Sequence, residues 1–247
     1  MPAESSRLRR VVAAGLSTGV SLPLAAAAVV IHLRPPIALL LQYDRAAVDS
    51  GEFWRLLTGH WTHWSADHLF WDVLAFTLLA GLCEVMGRWR MVACTLVAAA
   101  AIGAAVELGV PGIHVYRGLS GIDSALFTLA VVTLLRRAIL THRRMRTIGL
   151  LICLAAFLLK TIFECGTGAT LFVDSAAAGM TPVPLVHIIG AVIGLVVGGW
   201  RPRPGADGRR RTGGAVNRRP RAVLAAARSS PAAPTPPRRA PIARTPR

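Results

Sequence analysis

Six stretches of mostly apolar residues alternate with polar or arginine-containing segments along the chain. They lie near residues 11–33, 67–86, 91–109, 118–135, 147–164 and 184–200. A helix of about 17 to 25 residues crosses the hydrocarbon core of a bilayer, so each stretch is long enough to be a span. The pattern predicts an all-α membrane protein in which residues 11–200 form a bundle of six transmembrane helices.

The amino-acid composition agrees with this class. Hydrophobic residues make up 53% of the 247 residues, more than an ordinary soluble domain contains. Arg7, Arg9 and Arg10 before the first apolar stretch resemble the start of a secretory signal. That stretch is longer than the apolar region of a signal and further spans follow it, so we interpret it as a retained helix.

The distribution of arginine predicts the orientation. Most arginines lie in residues 1–10, 87–90, 136–146 and 201–247, which a six-span topology places on one side of the membrane. The positive-inside rule makes that side the cytoplasm. Residues 1–10 are then a cytoplasmic N-terminus, and the C-terminus is cytoplasmic as well.

Residues 201–247 form a segment of different composition, dominated by Arg, Pro, Ala and Gly, with Asp207 its one acidic residue. Such a segment cannot bury an apolar core and is expected to be a disordered tail. Beside a membrane, its positive charge favours contact with anionic lipid headgroups. It has no aromatic interleaving and no nucleic-acid motif, so no nucleic acid is expected as a partner.

Several polar side chains are predicted to lie at membrane depth near the outer surface. The second, fourth and sixth spans all run from outside to inside, so their first residues share one layer. That layer receives His68 and Asp72, Ser120 and Asp123, and His187. Ionisable groups inside a membrane are costly and call for a partner or a purpose. Taken singly, Ser120 with Asp123 also fits a helix cap, and each histidine also fits a hydrogen bond to a carbonyl group.

Small residues predict that the fourth and sixth spans dock closely. Gly190 and Gly194 follow His187 on one helix face, and Gly121 belongs to a small-residue face of the fourth span. Close docking would bring the Ser120 hydroxyl within hydrogen-bonding reach of His187, the pairing that activates a serine nucleophile. Packing of small residues alone, without chemistry, is the other interpretation.

Other chemistries have weaker support. The G-x-S-x-G elbow of α/β-hydrolases is excluded because position 122 is Ile122. His60, His63 and His68 lack the spacing and the glutamate of H-E-x-x-H, and the four cysteines show no C-x-x-C pair, so no metal is expected. We expect no organic cofactor.

An ordered set of short motifs resembles the rhomboid family of intramembrane serine proteases. The set runs in family order over about residues 10–200 and consists of Trp54-Arg55, His68 with Asp72, Glu84 with Gly87, Gly118-Leu119-Ser120-Gly121, and His187-x-x-Gly190-x-x-x-Gly194. The resemblance implies a six-helix bundle in the plasma (inner) membrane of a bacterium. It implies a serine endopeptidase that cleaves transmembrane or membrane-proximal segments of membrane proteins.

The resemblance also implies residue roles. Ser120 would be the nucleophile and His187 the general base, as a dyad without a third carboxylate. His68, Asp72, Gly118 and Leu119 would form or support the oxyanion site together with the backbone N–H of the serine. Rhomboids usually carry asparagine where this chain has Asp72. Either a protonated Asp72 donates a hydrogen bond, or, the interpretation we favour, it fixes the tautomer of His68 or His187.

Two loops and one subfamily complete the expectations. The Trp71-Asp72 pair resembles the rhombosortase branch, which implies substrates with C-terminal sorting tails. By analogy the 165–183 loop is a mobile cap, although a passive connector fits nearly as well; the tryptophans of the 34–66 loop predict an interfacial element. The alternatives to a protease are an inactive rhomboid-like protein that binds transmembrane clients and, third, a transporter with a proton path through its buried carboxyl groups.

Overall fold

The computed structural model describes residues 19–200, and most of this range is helical. The helices are α1 Ser21–His32, α2 Pro35–Leu41, α3 Arg45–Asp49, α4 Arg55–Thr58, α5 Ala66–Gly109, α6 Ser120–Leu140, α7 Arg144–Thr167 and α8 Pro184–Gly199. A short 3-10 helix covers Gly59–Trp61. The predicted N-terminus, the beginning of the first predicted span and the predicted tail lie outside the described residues.

The fold also contains a small β-sheet that the all-α prediction missed. Strand β1, Tyr43–Asp44, pairs antiparallel with β2, Val115–Tyr116. Two-residue strands leave no hydrophobic alternation to detect. The pair joins the loop before α5 to the loop before α6.

The ends of the helices follow from local sequence. Ser65 is the N-cap of α5, because its hydroxyl accepts a hydrogen bond from the backbone N–H of His68 at 3.1 Å. Proline occupies the first turn of α2 and of α8, where its missing N–H costs nothing. Gly168, with a φ of 68°, ends α7 in the left-handed conformation that suits glycine.

Helix α5 reverses direction at Gly87, where the backbone is not helical. Its first part begins beside the start of α6, where Asp72 accepts a hydrogen bond from Leu119 N. Its second part returns to that end, where the Ile102 side chain packs against Gly121. Just after Gly87, by contrast, Arg90 donates to carbonyl groups at the far end of α8. The two parts of α5 are therefore antiparallel and coincide with the second and third predicted spans.

Within residues 19–200, length and composition identify fewer spans than the six predicted. Helices α5 and α7 are long and apolar enough to cross a membrane, and α1 with α2 would make a third span if this pair, bent by 112°, is one span. Helix α8 is apolar but has only 16 residues. Helix α5 enters this count once although it reverses at Gly87.

Helix α6 lies at the centre and contacts α5, α7 and α8. The closest approach is to α8: a Cβ on Gly190 would lie 1.9 Å from Gly121 O, and one on Gly194 would lie 2.0 Å from Ala125 O. Side chains larger than hydrogen therefore cannot occupy these two positions at this helix separation. The faces of α6 and α8 that meet are those with the small residues.

Two arginines fix the 34–66 loop: Arg55 ties parts of the loop to each other, and Arg45 ties the loop to the bundle. Arg55 is buried and donates to the carbonyl groups of Leu39 and Gln42. Arg45 donates to carbonyl groups at the end of α5 and forms an ion pair with Glu107. Large apolar side chains on this loop are exposed: Ile37, Leu39, Leu40, Phe53, Trp54 and Leu57.

Candidate active site

Ser120 and His187 meet at the junction of α6 and α8. Ser120 is the first residue of α6, and its Oγ lies 3.1 Å from Nε2 of His187. The N-cap position belongs to Leu119, and no side chain caps this helix. The helix-cap interpretation of Ser120 is therefore wrong, because its hydroxyl faces an imidazole instead of a backbone N–H. Asp123 lies one turn on, with its Oδ1 buried and no hydrogen-bond partner among the described residues.

A glutamate that the sequence analysis did not single out lies on the other side of the imidazole. Glu164 Oε2 of α7 lies 3.0 Å from His187 Nδ1, and the residue is only 2% exposed. Nδ1 makes no well-aligned hydrogen bond with any described residue, so the contact is electrostatic in this arrangement. Lys160 Nζ lies 2.7 Å from both carboxylate oxygens of Glu164. The residues thus form a row from hydroxyl to imidazole to carboxylate.

The carboxylate of Asp72 is surrounded by nitrogen atoms, and it contacts the backbone of the Gly118–Ser120 segment. Its Oδ2 accepts a hydrogen bond from Leu119 N at 2.7 Å and lies 3.2 Å from His68 Nε2 and 3.3 Å from His63 Nε2. Burial lowers the pKa of His63 more than Asp72 raises it, so His63 is neutral at neutral pH. An oxygen facing three nitrogen atoms is an acceptor in this arrangement.

Gly118 allows the Gly118–Ser120 segment to lie against the side chains of His68 and Asp72. Its φ is 126°, a conformation that favours glycine. A Cβ on Gly118 would lie 2.8 Å from His68 Nε2 and 3.2 Å from Asp72 Oδ2. The backbone N–H of Leu119 is already bonded to Asp72. The first N–H groups of a helix have no carbonyl partner within the helix. At the start of α6 these are the N–H groups of Ser120 and of the two residues after it.

Two adjoining cavities open beside the serine, with volumes of about 40 Å³ and about 410 Å³. The larger cavity lies between the first part of α5, α6 and α7, and it has mostly apolar walls. Residues of the loop after α7 also line it, and the ring of Phe172 lies 5.6 Å from that of Trp71 between centroids. Both cavities are lined by His68, Ser120, Glu164, Thr170, Met180 and His187.

The layer predicted from the sequence is one cluster in space. His68, Asp72, Ser120, Asp123 and His187 all line the larger cavity. Within residues 19–200, no group of three or more His, Cys, Asp or Glu side chains is arranged to hold a metal ion.

Sequence patterns did not predict Glu164, Lys160 or the contact of His63 with Asp72. The signal for the first two was present, because an acid four residues after a lysine inside a predicted span is an ion pair at membrane depth. No sequence rule indicated that this pair would lie beside His187, since that depends on how α7 docks against α8.

Comparison with known proteins adds one family match. A family model described as the rhomboid domain matches residues 50–201. This range contains every site residue described above. The search of curated proteins gave no match.

Proposed function

The chain belongs to the rhomboid family, and we propose that it is an intramembrane serine endopeptidase acting through Ser120 and His187. The observation that supports the proposal most strongly is the 3.1 Å separation of Ser120 Oγ and His187 Nε2 beside a cavity. A serine hydroxyl is a weak nucleophile unless a base takes its proton.

The reaction proposed is acyl transfer in two steps. Ser120 Oγ attacks a peptide carbonyl carbon while its proton passes to His187 Nε2, and the carbonyl oxygen becomes an oxyanion. The C–N bond then breaks as His187 gives the proton to the leaving amine. A water molecule repeats the sequence on the acyl-enzyme and releases the carboxyl product.

We propose that backbone N–H groups at the start of α6 hold the oxyanion. The first N–H groups of a helix lack internal partners and carry partial positive charge, which suits an anion. Asp72 occupies the N–H of Leu119 and faces Nε2 of His68. Asp72 is thus proposed as a positioning group for the Gly118–Ser120 segment and for His68, and not as a donor to the oxyanion.

The proposed substrate is a segment of a membrane protein. The chain is a membrane protein by its family and its apolar helices, and the 410 Å³ cavity with apolar walls reaches Ser120 from between α5 and α7. Such a cavity suits the side chains of an unwound transmembrane or membrane-proximal segment. The resemblance of Trp71-Asp72 to rhombosortases extends the proposal to C-terminal sorting tails; Trp71 forms part of the cavity wall.

We propose six crossings of a bacterial inner membrane with both termini in the cytoplasm. The reversal of α5 at Gly87 supports two crossings where length alone counts one helix. The arginines of residues 201–247 are proposed to contact anionic lipid headgroups on the cytoplasmic side. The exposed apolar side chains of the 34–66 loop suit the opposite membrane surface.

Labelling of the purified protein in detergent by a fluorophosphonate probe tests the activity without a known substrate. The serine displaces fluoride from phosphorus, so only an activated serine reacts at an appreciable rate. We expect wild type to label and both Ser120→Ala and His187→Ala to lose labelling.

Ser124→Ala is the matched control for this experiment. Ser124 lines the same cavity from the same helix, but its hydroxyl donates to the carbonyl group of Ser120. This variant should label like wild type. A folded wild-type protein that does not label would favour the inactive, client-binding protein.

A further inference from the structure

We infer that Glu164 is a positioning residue for His187, so that the site works as a serine–histidine–glutamate row instead of a dyad. The inference rests on the proposed protease function and deepens it. The carboxylate Oε2 lies 3.0 Å from His187 Nδ1, while Nε2 of the same ring lies 3.1 Å from Ser120 Oγ. The two ring nitrogens therefore lie beside a hydroxyl that can give up its proton and a carboxylate that can orient the ring.

The chemistry fixes which nitrogen must carry the hydrogen. To accept the proton of Ser120, Nε2 must present a lone pair, so the neutral ring carries its hydrogen on Nδ1. A carboxylate beside Nδ1 favours that tautomer. It also stabilises the imidazolium that forms when the serine proton moves to Nε2. The carboxylate itself takes no proton in this step.

The surroundings of Glu164 keep the carboxylate in place. The residue is 2% exposed, and its oxygens accept hydrogen bonds from Lys160 Nζ and from the backbone N–H of Leu171. A buried carboxylate is costly unless it is paired and hydrogen-bonded, and here both conditions are met. The contact with Leu171 also connects the carboxylate to the loop whose residues line the larger cavity.

The alternative role for Glu164 is structural: an ion pair with Lys160 that stabilises α7. Lys160 precedes Glu164 by one helical turn on α7, and its side chain is 23% exposed. An ion pair that served only α7 would not need a carboxylate oxygen at hydrogen-bonding distance from an imidazole of another helix. Variants that separate charge, shape and the Lys160 contact distinguish the two purposes.

The test measures the kinetics with which a fluorophosphonate labels the full-length protein in detergent. Two quantities are compared: the maximal labelling rate and the probe concentration that gives half of it. Glu164→Gln keeps the shape and removes the charge; we expect the maximal rate to fall at least about 10-fold with little change in half-saturation. Glu164→Asp keeps the charge and should be faster than Glu164→Gln. Lys160→Met should be slowed less than Glu164→Gln because the carboxylate remains beside His187.

Two further variants serve as controls for an indirect effect through loss of folding stability. Lys160→Met with Glu164→Gln leaves no unpaired buried charge and should be as slow as Glu164→Gln. Glu84→Gln is the matched control: Glu84 is also buried and pairs with Arg88, four residues on, and it lies near Gly87, at the end of the first part of α5 away from His68. It should lower thermal stability without changing the labelling rate of the folded fraction.

Each outcome decides the inference. Folded Glu164→Gln that labels at the wild-type rate would overturn it while leaving Ser120 and His187 as the active pair. Equal losses for Glu164→Gln, Glu164→Asp and Lys160→Met would also overturn it, in favour of a structural ion pair. A wild-type protein that fails to label would overturn the proposed function and this inference with it.

Discussion

Gly118 shows how closely single atoms are fitted around Ser120. Its positive φ turns the chain into the start of α6, and its missing side chain leaves room for the imidazole of His68 and the carboxylate of Asp72. Asp72 then binds the N–H of Leu119, the residue before the serine. The position of the nucleophile therefore depends on a residue with no side chain.

Gly118→Ala should reduce both labelling and stability. The new Cβ would lie 2.8 Å from His68 Nε2 and would require a strained φ, which costs about 1 to 3 kcal/mol. We expect a lower unfolding temperature and slower labelling of the protein that remains folded. Gly112→Ala is the control, because a Cβ there meets nothing within 4 Å. Equal behaviour of the two variants would contradict the role given to Gly118.

The site residues that could be predicted from the sequence are those that belong to a short, recognisable motif. Ser120 and Gly118 belong to a four-residue motif, and His187 stands before two glycines at a period of four. Glu164 has no such motif, since only the docking of α7 against α8 makes it a neighbour of His187. Its partner Lys160 was the remaining local clue.

The contact between helices α6 and α8 determines how close the two proposed catalytic side chains lie. Ser120 and His187 belong to different helices 67 residues apart in sequence, so the separation of their side chains follows the separation of the helix axes. Gly190 and Gly194 allow the backbones to touch through the carbonyl groups of Gly121 and Ala125. Small residues at helix contacts act in this way in membranes.

Gly190→Ala should impair labelling more than it impairs folding. A Cβ there would lie 1.9 Å from Gly121 O, so α8 must move by more than 1 Å. Overpacking of this kind costs about 1 to 3 kcal/mol, and a displacement of this size separates His187 from Ser120. The measurement compares labelling rate with unfolding temperature.

Gly199→Ala, at the end of the same helix, is the control for this prediction. A Cβ at Gly199 meets nothing within 4 Å, so neither quantity should change. Wild-type labelling by Gly190→Ala would contradict the claim that this helix contact sets the distance between the two side chains.

For the whole molecule, hydropathy predicted the later helices closely and the connections poorly. The predicted spans 147–164 and 184–200 correspond to α7, Arg144–Thr167, and α8, Pro184–Gly199. The short helices and the strand β1 between α1 and α5 were not predicted, and neither was β2 between α5 and α6, since such connections depend on contacts like those of Arg45 with the end of α5. Hydropathy is local, whereas these connections are defined by tertiary hydrogen bonds.

The most direct measurement of the central claim is peptide mapping, by mass spectrometry, of the phosphonate adduct on labelled, folded, full-length protein. We expect a single adduct on Ser120 in wild type and none in His187→Ala, because the base that activates the hydroxyl is then missing. An adduct on another residue, or an adduct on Ser120 that forms equally fast without His187, would contradict it.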